Sequence, residues 1–266
     1  MKGYGEQMEE RLNDTRLILG DCTEVLQQLI DEGVKVDLVI TSPPYNLAMT
    51  EKSGGDLKVV YNKYKDDMPY DEYINWQIKI LNMCYELLTD EGMIYYNHKD
   101  RRWNSSKYFF DPKAVFYNTE INMAQTIIWN RKGSVQHATG FWSPTHETIL
   151  VGYKNADKHM KVSLEFENYG SVWEFPPHRD EVQIATFPVG LPERIIGAYQ
   201  QYGKLTVLDP FMGSGTTGVA SRRFDMNFIG IEIDDLHFNH AKDKIAKVEK
   251  EKEIGRALKR KQKPLW

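Results

Sequence analysis

This chain of 266 residues predicts an α/β fold with a mostly parallel, doubly wound sheet. Three observations carry that expectation. Short apolar runs alternate with helix-length amphipathic stretches along most of the chain. Two of the runs end in turns dense in proline or glycine, which puts distinctive residues at carboxyl ends of strands, where open α/β sheets bind ligands. Hydrophobic residues make up 41% of the chain, enough for one substantial core.

The elements follow in order. Val36-Asp37-Leu38-Val39-Ile40 reads as a buried strand ending at a Ser-Pro-Pro turn. Tyr70 to Leu88 reads as an amphipathic helix with Ile74, Ile78, Leu81, Tyr85 and Leu88 on its apolar face. Asp90-Glu91-Gly92 is expected to close it, before a strand at Met93 to Tyr96. Phe116 to Ala124 is expected to be a further helix, and Thr126 to Trp129 and Thr148 to Val151 two strands. A helix starting at Pro192 is expected within Ile184 to Tyr202. Leu205 to Leu208 is a strand, Thr216 to Arg223 a helix, Phe228 to Glu232 a strand, and Leu236 to about Lys263 a long charged helix. Two stretches break the rhythm. Residues 48–69 are polar and glycine-containing and read as a mobile loop, and the irregular, aromatic-rich residues 155–180 as an inserted segment. All this forms a single domain over residues 1–266.

Composition excludes several classes. No apolar run reaches the roughly 18 residues that span a bilayer, and the first residues lack a signal-peptide core, so a cytosolic protein is expected. Cys22 and Cys84 provide neither a disulfide framework nor zinc spacing, and His98, His137, His159 and His178 form no metal-ligand pattern, so no metal is expected. The net charge of −4 argues against a non-specific nucleic-acid coat but leaves room for one basic face. Candidate cations for such a face are Lys99, Arg101, Arg102 and Lys107 around Trp103, Arg131 and Lys132, and the tail residues Arg256, Lys259, Arg260, Lys261 and Lys263. A solvated surface is the plainer reading of each patch. Trp142, Tyr169, Trp173 and Phe175 are candidates to support bases, although single aromatics are more often core.

The glycine-rich turn is Asp209-Pro210-Phe211-Met212-Gly213-Ser214-Gly215-Thr216-Thr217. Its two glycines permit a tight turn without Cβ atoms against a ligand, and the helix opening near Thr216 aims backbone N–H groups at that ligand. Glu232, at the end of the next strand, stands where an acid commonly accepts hydrogen bonds from ribose hydroxyls. A third glycine is missing for a dinucleotide fingerprint, and no Gly-Lys-Ser/Thr follows, which excludes a Walker A loop. The turn is therefore shaped for a nucleotide-like cofactor.

The other turn is Ser42-Pro43-Pro44-Tyr45. Prolines have no N–H and a fixed φ, so a rigid turn presents carbonyl acceptors. The Ser42 hydroxyl adds another acceptor, and Tyr45 a flat face for stacking. An exocyclic amino nitrogen of cytosine or adenine is a poor nucleophile because its lone pair is delocalised into the ring. Two acceptors gripping its hydrogens favour a pyramidal nitrogen able to attack an electrophilic methyl group, while stacking holds a base taken out of the duplex.

At these residues the chain resembles the S-adenosylmethionine-dependent DNA amino-methyltransferases. Ser42-Pro43-Pro44-Tyr45 matches the family's catalytic motif and Phe211-Met212-Gly213-Ser214-Gly215 its cofactor motif. The catalytic motif comes first, which is the permuted, beta-type order. Gly20-Asp21-Cys22, Phe187-Pro188-Val189-Gly190-Leu191-Pro192 and His146-Glu147 match further family features, and the resemblance covers roughly residues 15 to 245. It implies a Rossmann-like methyltransferase fold and S-adenosylmethionine as cofactor. It implies a cofactor pocket of Asp21, Cys22, Phe187, Asp209, Phe211, Gly213, Ser214, Gly215, Thr216 and Glu232, and a catalytic set of Ser42, Pro43, Pro44 and Tyr45. Residues 155–180 fall at the target-recognition region, and loop 48–69 would close over a flipped base. The implied partners are double-stranded DNA with a short recognition sequence, a cognate restriction endonuclease and a second copy of the chain, for which the 70–88 helix is one available surface. The implied setting is a prokaryotic or phage cytoplasm.

C5 methylation of cytosine needs a cysteine nucleophile, and neither Cys22 nor Cys84 follows a proline in that manner. Between amino groups, the Ser-Pro-Pro-Tyr form leans to N4 of cytosine, with N6 of adenine the alternative. Methylation of RNA or of protein glutamine, and non-catalytic sensing of the cofactor, are further readings. They fit less well, because Asn before Pro-Pro-Tyr and a cofactor-first order are absent and Ser42 and Tyr45 are intact.

Overall fold

The computed structural model describes residues 7–46, 66–102, 109–132, 142, 144–176 and 187–261, with the backbone alone at 102 and 255–261. The chain opens with an antiparallel hairpin, β1 (Met8–Leu12) and β2 (Thr15–Leu19), turned at Asn13 in the left-handed region. Then come α1 (Cys22–Asp31), β3 (Val36–Thr41), α2 (Tyr70–Leu87), β4 (Leu88–His98), the short pair β5 (Arg101–Arg102) and β6 (Phe109–Phe110), and α3 (Pro112–Phe116). They are followed by β7 (Asn122–Asn130), β8 (His146–Tyr153), α4 (Leu164–Glu167), β9 (Val172–Glu174), α5 (Gly190–Ala198), β10 (Thr206–Asp209), α6 (Thr216–Arg223), β11 (Asn227–Glu232) and α7 (Asp235–Lys261).

The main sheet runs β1-β2-β11-β10-β3-β4-β8-β7-β9. Pairing is parallel from β2 through β11, β10 and β3 to β4, then antiparallel at β4–β8 and β8–β7. Side chains alternate between two cores. In β4, Met93 and Tyr95 join a cluster with residues of α5, α6 and α7, whereas Ile94 and Tyr96 join one with α1, α2 and α3. Both faces are thus covered, as parallel strands require.

Several expectations need correction. Phe116 to Ala124 is not a helix. It turns after Phe116, and β7 starts at Asn122, because Ile121 seats on Gly152, where an added Cβ would come within 2.3 Å of it, and Asn122 pairs with Tyr153. Sheet pairing overrides local preference there. Asp90-Glu91-Gly92 does not separate helix from strand but lies inside β4 as an irregularity, with Val36 opposite Leu88 and Leu38 opposite Met93. The helix expected from Pro192 starts at Gly190, so the proline sits in the first turn, where a missing N–H costs little. The buried stripe of α2 is Tyr73, Gln77, Ile80, Cys84 and Leu87 beside Leu81, with Ile74, Ile78 and Tyr85 as half-buried flanks. That stripe packs on α1 and the sheet. The hairpin β1–β2 and helix α1 have no counterpart in the sequence reading.

Residues 155–176 form part of the body. Met160 and Trp173 are buried in the core, β9 extends the sheet in parallel with β7, and Arg194 of α5 lies over the rings of Tyr169, Trp173 and Phe175 at 4.3–5.2 Å. Among the described residues no helix is long and apolar enough to cross a membrane, and no His/Cys/Asp/Glu group is arranged to hold a metal ion.

Candidate active site

The carboxyl ends of β2, β11, β10, β3 and β4 bring both turns to one edge of the sheet. On the first side, β10 ends at Asp209, which is almost fully buried. Its Oδ1 accepts from the Thr41 hydroxyl at 2.9 Å and the Phe211 N–H at 3.1 Å, and its Oδ2 from the Thr217 hydroxyl at 2.7 Å. Burial pushes this carboxyl up to about 6 despite those donors. Asp209 therefore ties the end of β3 to the glycine turn and to α6. Gly215 takes φ +80°, and a Cβ there would stand 2.8 Å from Ala241 of α7. Among the described residues no side chain caps α6, which leaves its first-turn amides available to a ligand at the turn.

Glu232, at the end of β11, holds the turn from the other side. Its Oε2 accepts from Gly213 N–H at 2.8 Å, and its Oε1 from the N–H groups of Ile233 and Asp234 at 3.0 and 2.9 Å. Burial lifts it to about 7. Gly20 N–H bonds the Glu232 carbonyl at 2.8 Å, and Asp21 caps α1 by accepting from Thr23 N–H at 2.8 Å. Cys22 opens α1, its thiol pushed up by burial. Phe187 is buried in the core, Ser214 is buried in the turn, and Phe211 meets Trp76 edge-on at 5.4 Å. This donor set fits S-adenosylmethionine: carboxylates of Asp21 and Glu232 suit its hydroxyl and cationic groups, and the Phe211–Trp76 pair an adenine ring.

On the second side, Ser42 to Tyr45 sit in a web of side chains. The Tyr45 hydroxyl lies 2.9 Å from Ser42 Oγ and donates to Glu147 Oε2 at 2.8 Å. Asn97, near the end of β4, directs Nδ2 to Tyr45 Oη and Glu147 Oε2, both at 2.8 Å, and more weakly to Ser42 Oγ at 3.3 Å. Asn97 Oδ1 is buried and has no partner among the described residues, which leaves an acceptor for a ligand N–H. Arg131 pairs with Glu147 Oε1 at 3.0 Å and reaches the Pro144 carbonyl at 3.4 Å. Behind the turn, the Tyr73 hydroxyl lies 2.8 Å from the Pro44 carbonyl and 2.6 Å from His98 Nε2, with one hydrogen for the two acceptors. One face of the Tyr45 ring rests on the His98 ring at 4.5 Å, and burial drives that imidazole down to about 3. Asn46, left-handed at φ 55°, exchanges two 2.7 Å hydrogen bonds with the Met68 backbone, and its N–H bonds Asp66.

The candidate cations mostly have protein partners. Arg101 donates to the carbonyls of Tyr45 and Asn46, Arg131 to Glu147, and Lys132 pairs with Glu174. Lys99 is half-buried and within electrostatic reach of Glu147 and Arg131. Arg102 lies in β5. Lys107, Trp103, His137, His178, Lys263 and most of loop 48–69 lie outside the described residues. His98 is a core residue, and His159 stacks on Tyr153 at 4.4 Å. Trp142 is 98% exposed.

Sequence reasoning singled out the two turns but assigned no role to Asn97, Tyr73, Asn46 or Asp66, and gave Glu147 only as part of a resemblance. Asn46 directly follows the Pro-Pro-Tyr turn, which is a usable signal. Asn97 and Tyr73 carry none, since only tertiary structure brings them to the turn.

Comparison with known proteins gives a consistent result. Residues 36–243 match the family model described as DNA methylase, of N6 and N4 type. The Type II methyltransferase M.BglII of Bacillus subtilis is 29% identical over 256 residues, covering 81% of this chain, and the chain spans 64% of that relative's length. Among solved structures, the PvuII DNA methyltransferase (cytosine-N4-specific) superposes with a TM-score of 0.68 at 16% identity, covering 91% of this chain and 90% of that one. The M1.HpyAVI–SAM complex gives 0.58 at 21% identity, covering 87% and 99%. At such identities the structural likeness establishes the shared Rossmann-like fold.

Proposed function

Because the chain belongs to the N6/N4 DNA methylase family, we propose that it transfers a methyl group from S-adenosylmethionine to the exocyclic amino group of a base in double-stranded DNA, N4 of cytosine being favoured. The observation that carries this reading is the Thr41–Asp209 hydrogen bond of 2.9 Å, which locks the amino-gripping turn to the cofactor turn across neighbouring strands. S-adenosylmethionine supplies an electrophilic methyl on a sulfonium, which needs no metal activation. Glu232, Asp21 and the first turn of α6 bind that cofactor, and Phe211 and Phe187 border it. Ser42 and the Pro44 carbonyl orient the amino hydrogens, and Tyr45 lines the base. Orientation of this kind is worth several kcal/mol, roughly 7–11 for well-aligned reactants.

Target recognition is assigned to residues 155–180. Supporting this, the described part exposes Leu164, Tyr169 and Val172 while burying Met160 and Trp173, so apolar contacts face outward from a firm base. Loop 48–69 is assigned to cover the flipped base, and Lys99, Arg101, Arg102, Arg131 and Lys132 to the DNA-facing side. Arg101 serves there by fixing the Tyr45–Asn46 backbone. The proposed setting is a bacterial cytoplasm, beside a restriction endonuclease of the same specificity.

Ser42 favours cytosine over adenine. The test is to incubate the protein with tritium-labelled methyl donor and DNA, RNA or protein, then digest labelled DNA to nucleosides and separate them by mass. Label in DNA as N4-methylcytosine is expected. N6-methyladenine alone would sink the choice of base, and label only in RNA or protein the choice of polymer.

A further inference from the structure

We propose that Glu147 is the terminal proton acceptor of the transfer step, reached from the target amino group through Ser42 and Tyr45. The inference rests on the amino-transfer reading above and assigns a role to a residue outside the Ser-Pro-Pro-Tyr turn.

The Tyr45 phenol has one hydrogen. Its neighbours are Glu147 Oε2 at 2.8 Å, Asn97 Nδ2 at 2.8 Å and Ser42 Oγ at 2.9 Å. A salt-bridged carboxylate only accepts and an amide NH₂ only donates, so the phenol hydrogen belongs to Glu147. The Ser42 hydroxyl must then donate to Tyr45 Oη. The orientation of Asn97 follows as well, because turning Oδ1 inward would set it against the Glu147 carboxylate, where Nδ2 now donates at 2.8 Å. With its hydrogen committed to Tyr45, Ser42 Oγ offers only lone pairs. The network gives this serine the acceptor-only character of a carboxylate.

The same line of bonds can carry a proton. As the N–CH₃ bond forms and the donor's S–CH₃ bond breaks, the electron pair stays on sulfur and the target nitrogen holds a surplus proton. That proton passes to Ser42 Oγ, the Ser42 hydrogen to Tyr45 Oη, and the Tyr45 hydrogen to Glu147 Oε2. Ser42 and Tyr45 end as they began, and the sulfonium charge and the carboxylate charge disappear together. Among the described residues no nearby group serves as well. His98 has both ring nitrogens engaged, by the Lys99 carbonyl and the Tyr73 hydroxyl, and burial makes it a weak base. Asn97 is amide, and Arg131 and Lys99 are cations. Arg131 occupies Oε1 alone, which leaves Oε2 turned to Tyr45. Glu147 is 6% exposed, so bulk water does not replace it.

The test compares the wild type with Glu147→Gln, Tyr45→Phe and the double variant in single-turnover transfer to DNA, with cofactor affinity measured separately. Each single change is expected to slow transfer by on the order of a hundredfold, as loss of acid–base assistance does, with cofactor affinity unchanged. The double variant is expected to be about as slow as either single one, because both break the same line. A second readout needs no turnover. In the unloaded protein labelled at tyrosine Cζ with carbon-13, the resonance lost in Tyr45→Phe should shift in Glu147→Gln, since Tyr45 and Arg131 use different oxygens of Glu147 and glutamine replaces one of them with a donor-only NH₂. Transfer by Glu147→Gln at near wild-type speed, losses that multiply in the double variant, or an unmoved Tyr45 resonance would each overturn the relay. Should Glu147→Gln fail to fold, Tyr45→Phe at wild-type speed overturns it as well. A wild type that labels no DNA contradicts the amino-transfer reading instead.

Discussion

The two sides of the crevice are built from different kinds of bond. The cofactor side is held by backbone amides gathered on two buried acids, with Phe211 on Asp209 and Gly213, Ile233 and Asp234 on Glu232. The acceptor side is held by side chains that meet only in the folded chain: Tyr45 and Glu147 are 102 positions apart, and Ser42 and Asn97 are 55 apart. The cofactor turn is therefore formed within one stretch of chain, from β10 through α6 to the end of β11. The acceptor turn takes its shape from the antiparallel half of the sheet, because β4 and β8 carry its partners. The cofactor side thus depends chiefly on two acid side chains, whereas the web depends on each of its members.

Asp209 belongs to both sides, and its loss should be the largest effect. Asp209→Ala strands the hydroxyls of Thr41 and Thr217 and the Phe211 amide in a buried place. At about 1–3 kcal/mol for each unsatisfied buried group, a loss of roughly 3 kcal/mol or more is expected in urea unfolding. Cofactor and DNA binding should weaken together. If only one of the two weakens, the two sides are less tightly joined than the Thr41 contact implies.

Tyr45→Ala separates the sides instead. It removes the stacking face and the centre of the Ser42–Asn97–Glu147 web while touching nothing on the cofactor turn. Methyl transfer should fall by about a hundredfold, the usual consequence of misplacing a reacting group, with cofactor affinity within twofold of wild type. Titration calorimetry alongside a filter assay checks both, and equal losses would contradict the division.

This division also explains what was legible in the sequence. The Thr216–Arg223 helix has the bounds its pattern gave, and Gly213, Gly215 and Glu232 lie together because the segment is local. Ser42 to Tyr45 were legible as chemistry, but their supports were not, since nothing near Tyr73 or Asn97 marks a catalytic neighbour. The failed helix at residues 116–124 has the same origin. A strand that exists by pairing with β8 and by seating Ile121 on Gly152 leaves little trace in local periodicity. The stripe of α2 is displaced by one position because Gln77, polar in the sequence, is buried to accept a 3.1 Å hydrogen bond from Tyr96.

The cofactor side should also titrate. Glu232 ionises at about 7 in the folded chain against 4.5 as its ordinary value, so between those limits the folded state holds more protons than the unfolded one. Its contribution therefore raises stability as pH falls from 7 to 4.5, by roughly 3 kcal/mol for a shift of that size. Asp209, at about 6, acts in the same direction between 3.8 and 6, while His98, held down to about 3, acts oppositely between 6.5 and 3. The wild-type curve is thus flattened, and the difference from a Glu232→Gln variant isolates one group. Relative to that variant the wild type should gain stability on acidification from pH 7 to 4.5. A constant difference over that range would mean that Glu232 is not desolvated as its burial requires.

The smallest expected effect probes the acceptor side from behind. Tyr73→Phe keeps the ring, which packs edge-on against Phe110 at 5.6 Å, and deletes one hydroxyl between the Pro44 carbonyl and His98 Nε2. A buried hydrogen bond is worth about 1 kcal/mol, so the unfolding midpoint should move slightly. The effect on transfer is more informative. The Pro44 carbonyl no longer shares the Tyr73 hydrogen with His98 Nε2, and it loses the contact that fixes its direction. Direction governs the grip on the amino group, so single-turnover transfer is expected to slow by several-fold while the affinity for DNA is kept. Were acceptor strength to govern it instead, the variant would match or exceed the wild type. The second result would show that the prolines alone hold the turn, and would reduce the side-chain web to the Ser42–Tyr45–Glu147 line.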